Sequence, residues 1–191
     1  PKDALIARCE HLNLPPASKA TIGISYGTAH YCLKHAGRLR ENETVLLHSA
    51  TGGVGQAAIQ VARSIGAKII ATAGTPKKRD HLRELGLDHV FDSRCLDFEQ
   101  KVLEITEGDG VDVILNFLPE DLLHASVRLL APFGRLVELG KYDIGLNKGL
   151  PLGEFERNQS FISFDLDNLL NCRLNYAHKL LDEILEQHLQ A

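Results

Sequence analysis

The sequence predicts an α/β fold, a doubly wound, mostly parallel sheet with helices on both faces. Three observations carry that expectation. Short apolar runs of strand length alternate with helix-length segments along the whole chain. No hairpin signal joins neighbouring strands, so the strands are expected to run parallel through right-handed crossovers. The first apolar run, Val45–Leu47, passes through Thr51-Gly52-Gly53-Val54-Gly55 into a helix. Ligands of such sheets sit beyond the carboxyl ends of the strands.

The elements follow in order. Residues 1–17 read as a connecting segment that ends in a Pro-Pro break. Residues 18–191 read as one dinucleotide-binding domain, a fragment of something larger. Ser18 is placed to cap a largely apolar helix that ends at Gly37. After the glycine turn, Ala57, Ala58, Ile59, Val61, Ala62 and Ile65 recur at helical spacing, and Gly66 sits where the helix stops. Lys68–Thr72 is the second strand. Pro76–Leu85 is a charged helix that Gly86 stops. His89–Asp92 is the third strand, and Asp97 caps a helix running to about Thr106. Val111–Asn116 is the fourth strand, Glu120–Leu130 a helix, and Gly134–Gly140 the fifth strand. A short helix over Leu152–Arg157 leads to a sixth strand, Phe161–Leu166, and Tyr176–Leu189 forms the last helix.

Composition narrows the function classes. The 191 residues are 44% hydrophobic and 24% charged, as in an ordinary globular domain. A net charge of −4 supplies no basic field for nucleic acid. No apolar run approaches the length of a membrane span, and the N-terminus lacks a signal-peptide core. Cys9, Cys32, Cys95 and Cys172 are scattered, and the nine histidines are dispersed. This favours a reduced, cytoplasmic protein without a zinc site. The chain contains no methionine, even at position 1, so it is expected not to begin at a natural start.

The residues just after each strand carry the chemistry. A turn without side chains lets backbone N–H groups approach a ligand, and the helix behind it presents its positive end. Thr51, Gly52, Gly53, Val54 and Gly55 therefore suit a pyrophosphate. After the second strand, folds that take NAD place an acid against the ribose 2′-hydroxyl. Here the strand runs into Ala73-Gly74-Thr75-Pro76-Lys77-Lys78-Arg79, a hydroxyl and three cations without an acid. That pattern favours a 2′-phosphate and hence NADPH, with Thr75 and Lys78 as contacts. A solvated basic first turn is the alternative. Arg94 either lies over the adenine and adds a cation or is a plain surface arginine. Asn116 either reaches the nicotinamide ribose or is an ordinary turn residue. Leu139 and Gly140 end the fifth strand, where Gly140 permits close backbone approach to the nicotinamide. Lys141 follows, either as a solvated strand end or as a group at the mouth of the cleft.

The runs LLHSATGGVGQAAIQVARSIGAKIIATAGTPKKRDHLRELG, VFDSR, GVDVILN, APFGRLVELGKYDI and SFDLD resemble the enoyl reductase domain of type I polyketide synthases. They are similar also to animal fatty acid synthase. Both lie in the zinc-independent branch of the medium-chain dehydrogenase/reductase superfamily, near the quinone reductases. The resemblance covers about Ala20 to the C-terminus and implies a Rossmann fold that binds NADPH. It implies reduction of an enoyl thioester on an acyl carrier protein, with hydride going to the β-carbon and a proton to the α-carbon. By its motifs Lys141 and Asp167 would be the proton-donor pair, and Thr28 would lie near the cofactor. A helix-capping or ion-pairing role is the alternative for Asp167. Phe117 departs from the small residue usual after the strand-four Asn.

The family's substrate domain is not visible in this sequence, so the chain is expected to bind NADPH yet to turn over poorly alone. Other synthase domains are the expected neighbours. Such domains often pair through the sheet edge, which keeps a homodimer among the expectations. Two alternatives stay open: a free-standing quinone or enone reductase, and a degenerate module that binds NADPH without turnover.

Overall fold

The computed structural model describes residues 22–189, and the side chains of residues 23–186. The expected connecting segment, residues 1–17, and the expected helix start at Ser18 lie outside the described residues. Helix α1 is built of three consecutive stretches, Ile22–Tyr26, Gly27–His30 and Tyr31–Ala36, the first and last with π geometry. Then follow β1 (Thr44–Leu47), α2 (Gly53–Ile65), β2 (Lys68–Ala73), α3 (Pro76–Glu84) and β3 (His89–Asp92). The second half holds α4 (Asp97–Ile105), β4 (Val111–Asn116), α5 (Asp121–Arg128) and β5 (Leu130–Glu138). It continues with α6 (Tyr142–Gly145), a 3₁₀ turn (Leu152–Phe155), β6 (Ser160–Ser163), α7 (Leu166–Cys172) and α8 (Leu174–Leu189).

The six strands form one sheet in the order β3-β2-β1-β4-β5-β6, and every neighbouring pair is parallel. The chain reverses direction across the sheet between β1 and β4, where a crevice opens beyond the strand ends. Strand residues alternate between two cores. Val45, Leu47, Ala71, Val113, Leu115 and Val137 pack under α1, α2 and α8. Leu46, Ile70, Ile114 and Leu136 pack under α4 and α5, around Phe98 and Val102. Burial on both faces explains why these strands read as unbroken apolar runs.

Where the expected boundaries differ, local chemistry decides. Helix α4 is capped by Leu96 without a side-chain bond, and Asp97 is its first residue. Helix α5 ends at Arg128, because Leu129 and Leu130 turn into β5, which begins four residues before the expected Gly134. Strand β6 stops at Ser163 rather than Leu166. Asp165 ends the extended run by capping α7, where its carboxylate accepts from the Asp167 N–H at 2.8 Å. Helices α6 and α7 were not expected. The signal for α7 is present in the sequence, as a capping Asp165 followed by Leu166, Leu169 and Leu170 at helical spacing.

Candidate functional site

The glycine turn joins β1 to α2. Gly52 is the N-cap of α2 and no side chain caps the helix, so its first N–H groups face the crevice. Gly52 and Gly53 are exposed. Gly55 is constrained from the other side. A Cβ there would stand 2.6 Å from the Ala50 Cα, so only glycine lets α2 close onto the turn. A Cβ on Gly53 would meet the Ser25 hydroxyl at 2.8 Å. The first turns of α1 thus lie against the glycine turn, and Ser25 joins the site although sequence reasoning missed it. Thr28, one turn further along α1, is buried against its neighbours.

Directly beneath the turn, His48 is fully buried and holds three elements together. The Ser126 hydroxyl of α5 donates to Leu122 O at 2.7 Å, so it accepts from His48 Nε2 at 2.9 Å. His48 Nδ1 then accepts from the Thr72 hydroxyl of β2, also at 2.9 Å. Burial pushes this imidazole down to about 3, which keeps it neutral.

At the end of β2 the expected cations separate into two groups. Arg79 Nη1 donates to Ala73 O at 3.1 Å and to Asp92 Oδ2 at 2.8 Å, so it is spent on the acid that ends β3. Lys77 and Lys78 are exposed. The Lys78 N–H donates to Thr75 Oγ1 at 3.4 Å, which makes Thr75 the N-cap of α3. Arg94 lies across Gly74, with its Nε 2.8 Å from where a Cβ would be. Arg94, though exposed, therefore stands at the end of β2.

The ends of β4 and β5 are organised by a residue that sequence reasoning passed over. Glu138 is 3% exposed. It accepts from Asn116 Nδ2 at 2.6 Å and from the Gly140 N–H at 2.5 Å. Burial raises its carboxyl to about 7, against the pull of those two donors and with added repulsion from Asp143. Asn116 also donates to Leu118 O at 2.8 Å and accepts from the Leu118 N–H at 3.2 Å. Its side chain is buried, with both amide hydrogens and the oxygen engaged within the protein. A Cβ on Gly140 would stand 2.5 Å from Glu138 Oε1, so that glycine is needed for the carboxylate to reach the backbone. Leu139 and Gly140 border the crevice, half-buried.

Lys141 follows and its ammonium pairs with Asp165. The carboxylate that meets the lysine is thus Asp165 rather than the Asp167 that the resemblance pairs with it. Asp165 precedes α7 and faces Lys141, whereas Asp167 lies exposed in the first helical turn and offers its N–H to Asp165. The lysine holds the Asp165 carboxyl below the usual carboxylate range. Beside this pair lies a cavity of about 410 Å³, lined chiefly by apolar side chains, among them Phe117, Leu123, Phe155 and Phe161. Glu138 and Lys141 supply polar groups at its wall. Among the described residues, no three His, Cys, Asp or Glu donors at the strand ends lie close enough to share an ion. No helix of the described residues is long and apolar enough to cross a membrane.

Known proteins resemble this chain in sequence and fold. Residues 53–168 match the family described as zinc-binding dehydrogenase. Over 169 residues the chain is 47% identical to a phenolphthiocerol/phthiocerol polyketide synthase polypeptide of Mycobacterium tuberculosis. The match takes in 87% of this chain but only 8% of that protein. The X-ray structure of the nucleotide-binding subdomain of the enoyl reductase domain of PpsC, from Mycobacterium tuberculosis, superposes with a TM-score of 0.85 at 44% identity. That likeness covers 88% of this chain and 94% of the other. The CurK enoyl reductase gives a TM-score of 0.82 at 35% identity, covering 94% of this chain and 54% of that one. On these likenesses this chain belongs to the zinc-binding dehydrogenase family, as the nucleotide-binding part of an enoyl reductase domain of the polyketide synthase kind.

Proposed function

We propose that this chain binds NADPH and serves the reduction of an enoyl thioester carried by an acyl carrier protein within a polyketide synthase. One observation carries the reading. An uncapped helix N-terminus opens onto the crevice, and one strand away Arg94 lies on Gly74 beside exposed Lys77 and Lys78. Asp92, at the end of β3 beside it, is already paired with Arg79. A pyrophosphate fits the first place and a 2′-phosphate the second.

Thr51, Gly52, Gly53, Val54 and Gly55 would hold the pyrophosphate, and Thr75, Lys78 and Arg94 the 2′-phosphate. Thr28, Leu139 and Gly140 would border the nicotinamide end. When bound, the coenzyme supplies a hydride. Lys141, oriented by Asp165, presents an ammonium that can stabilise an enolate oxygen or deliver a proton at the α-carbon. The apolar cavity beside it suits an acyl chain. Asp167 contributes by closing the first turn of α7 rather than by meeting the lysine.

The proposed partners are the acyl carrier protein, the flanking synthase domains and, through the edge strand β6, a second copy of the chain, all in the cytoplasm. The chain spans about half of a solved enoyl reductase chain, so the acceptor would be positioned from outside it. Fluorescence titration tests the reading. NADPH should saturate the chain and bind more tightly than NADH, and Arg94→Ala combined with Lys78→Ala should abolish most of that preference. Equal affinity for both coenzymes in the unsubstituted chain would refute the 2′-phosphate assignment.

A further inference from the structure

A second cluster of chemistry-bearing side chains lies between α1 and α8. In an ordinary α-helix, residues five apart stand about 140° from one another around the axis. The π geometry over Tyr31–Ala36 winds more slowly, which reduces that offset and brings His30 and His35 toward one side. Turns of this kind are uncommon and recur at functional sites. Both rings meet Glu183 of α8. His30 Nε2 stands 3.0 Å from Oε1, and His35 Nε2 stands 3.3 Å from Oε2. One donor atom from each of the three side chains falls within 4.8 Å of the other two.

These spacings are those of ligands around one small ion. A tetrahedral zinc with bonds of about 2.0–2.1 Å sets its ligand atoms about 3.3 Å apart. The hydrogen bonding is also incomplete without an ion. His35 Nε2 is buried and has no hydrogen-bond partner, because its approach to the carboxylate is not aligned for one. His30 is wholly buried, so its ring is held in place between α1 and α8. The Lys34 ammonium acts on both His30 and Glu183 and would oppose a bound cation, so the ligands must outweigh it.

We propose that His30, His35 and Glu183 form a divalent-metal site that takes zinc and clasps the C-terminal helix α8 onto α1. Two imidazoles and a carboxylate are a ligand set zinc accepts, with a water completing the shell. The site is separate from the strand-end crevice and does not depend on the proposed reaction.

The 191-residue chain, freed of metal by a chelator, is titrated with Zn²⁺ by calorimetry and with Co²⁺ by visible absorption. One equivalent should bind, Co²⁺ should develop d–d bands of a four- or five-coordinate ion, and Zn²⁺ should raise Tm. Glu183→Gln and, separately, His35→Gln should weaken binding tenfold or more while far-ultraviolet circular dichroism and NADPH affinity stay unchanged. Cys172→Ser should leave metal binding intact. Absence of saturable binding to the unsubstituted chain overturns the proposal, as does binding that survives both substitutions or that disappears with Cys172→Ser.

Discussion

Glu138 shows how much one buried carboxylate can organise. It ties the last residue of β4 to the backbone just past β5, and thereby fixes where Leu139, Gly140 and Lys141 leave the sheet. Gly55 has a comparable constraint of opposite kind, since any side chain there would strike the backbone of Ala50. Gly55→Ala should push α2 off the turn, costing about 1–3 kcal/mol of stability by urea denaturation. The displaced N–H groups should weaken NADPH about tenfold by fluorescence titration. Gly52→Ala, whose Cβ would meet only Ser49 O at 3.4 Å, should cost far less stability. Equal losses for the two substitutions would refute the packing role of Gly55.

At the scale of elements, the β6–α7 junction couples stability to the site. Asp165 caps α7 with one carboxylate oxygen and holds Lys141 with the other. Asp165→Ala should lower Tm by a few degrees through the lost cap. In a chain extended by its flanking synthase segments, it should also lower NADPH consumption with a crotonyl thioester at least tenfold, approaching the effect of Lys141→Ala. Asp167→Ala should do neither. A larger kinetic loss from Asp167→Ala than from Asp165→Ala would restore the pairing first expected from the sequence motif. Helix α2 is the counterpart on the other side of the crevice. Its missing N-terminal cap leaves donors without partners, an arrangement that favours an anionic ligand.

For the whole molecule, two buried titrations oppose each other. Glu138 is raised from 4.5 to about 7 in the fold, so folding binds its proton more tightly. Its contribution is complete below pH 4.5 and is lost as pH rises toward 7. His48 is lowered from 6.5 to about 3, so the unfolded chain binds its proton more tightly. Its contribution is complete above pH 6.5 and is lost as pH falls. Between pH 4.5 and 6.5 the two slopes have opposite signs, each at most about 1.4 kcal/mol per pH unit, and they cancel. Relative to the unsubstituted chain, Glu138→Gln should make stability rise more steeply with pH across that window. His48→Gln should make it fall. Urea denaturation at several pH values reads both slopes, and identical pH dependence in all three proteins would remove the argument.

Much of this was legible in the chain itself. Strands β1 to β4 and helices α2 and α3 are written in local patterns, and Gly66 and Gly86 end their helices in left-handed conformations that glycine adopts without strain. The glycine turn and the cationic segment after β2 were likewise readable, because both are contiguous in sequence. What escaped depends on residues far apart in the chain. Glu138 reads as one charged residue in a strand until the fold sets it against Asn116, twenty-two positions away. Arg79 and Arg94 look alike until Asp92 claims the first and Gly74 receives the second. His30 and His35 look dispersed until a π turn aligns them and α8 brings Glu183 across. The sequence by itself determined the order of the strands, the parallel sheet and the uncapped glycine turn, since propensity, periodicity and glycine conformation act within a few residues. Only the tertiary structure decided which carboxylate meets Lys141, which amide is buried and which cations remain exposed, because charge pairing and desolvation act between segments that the chain separates and the fold brings together.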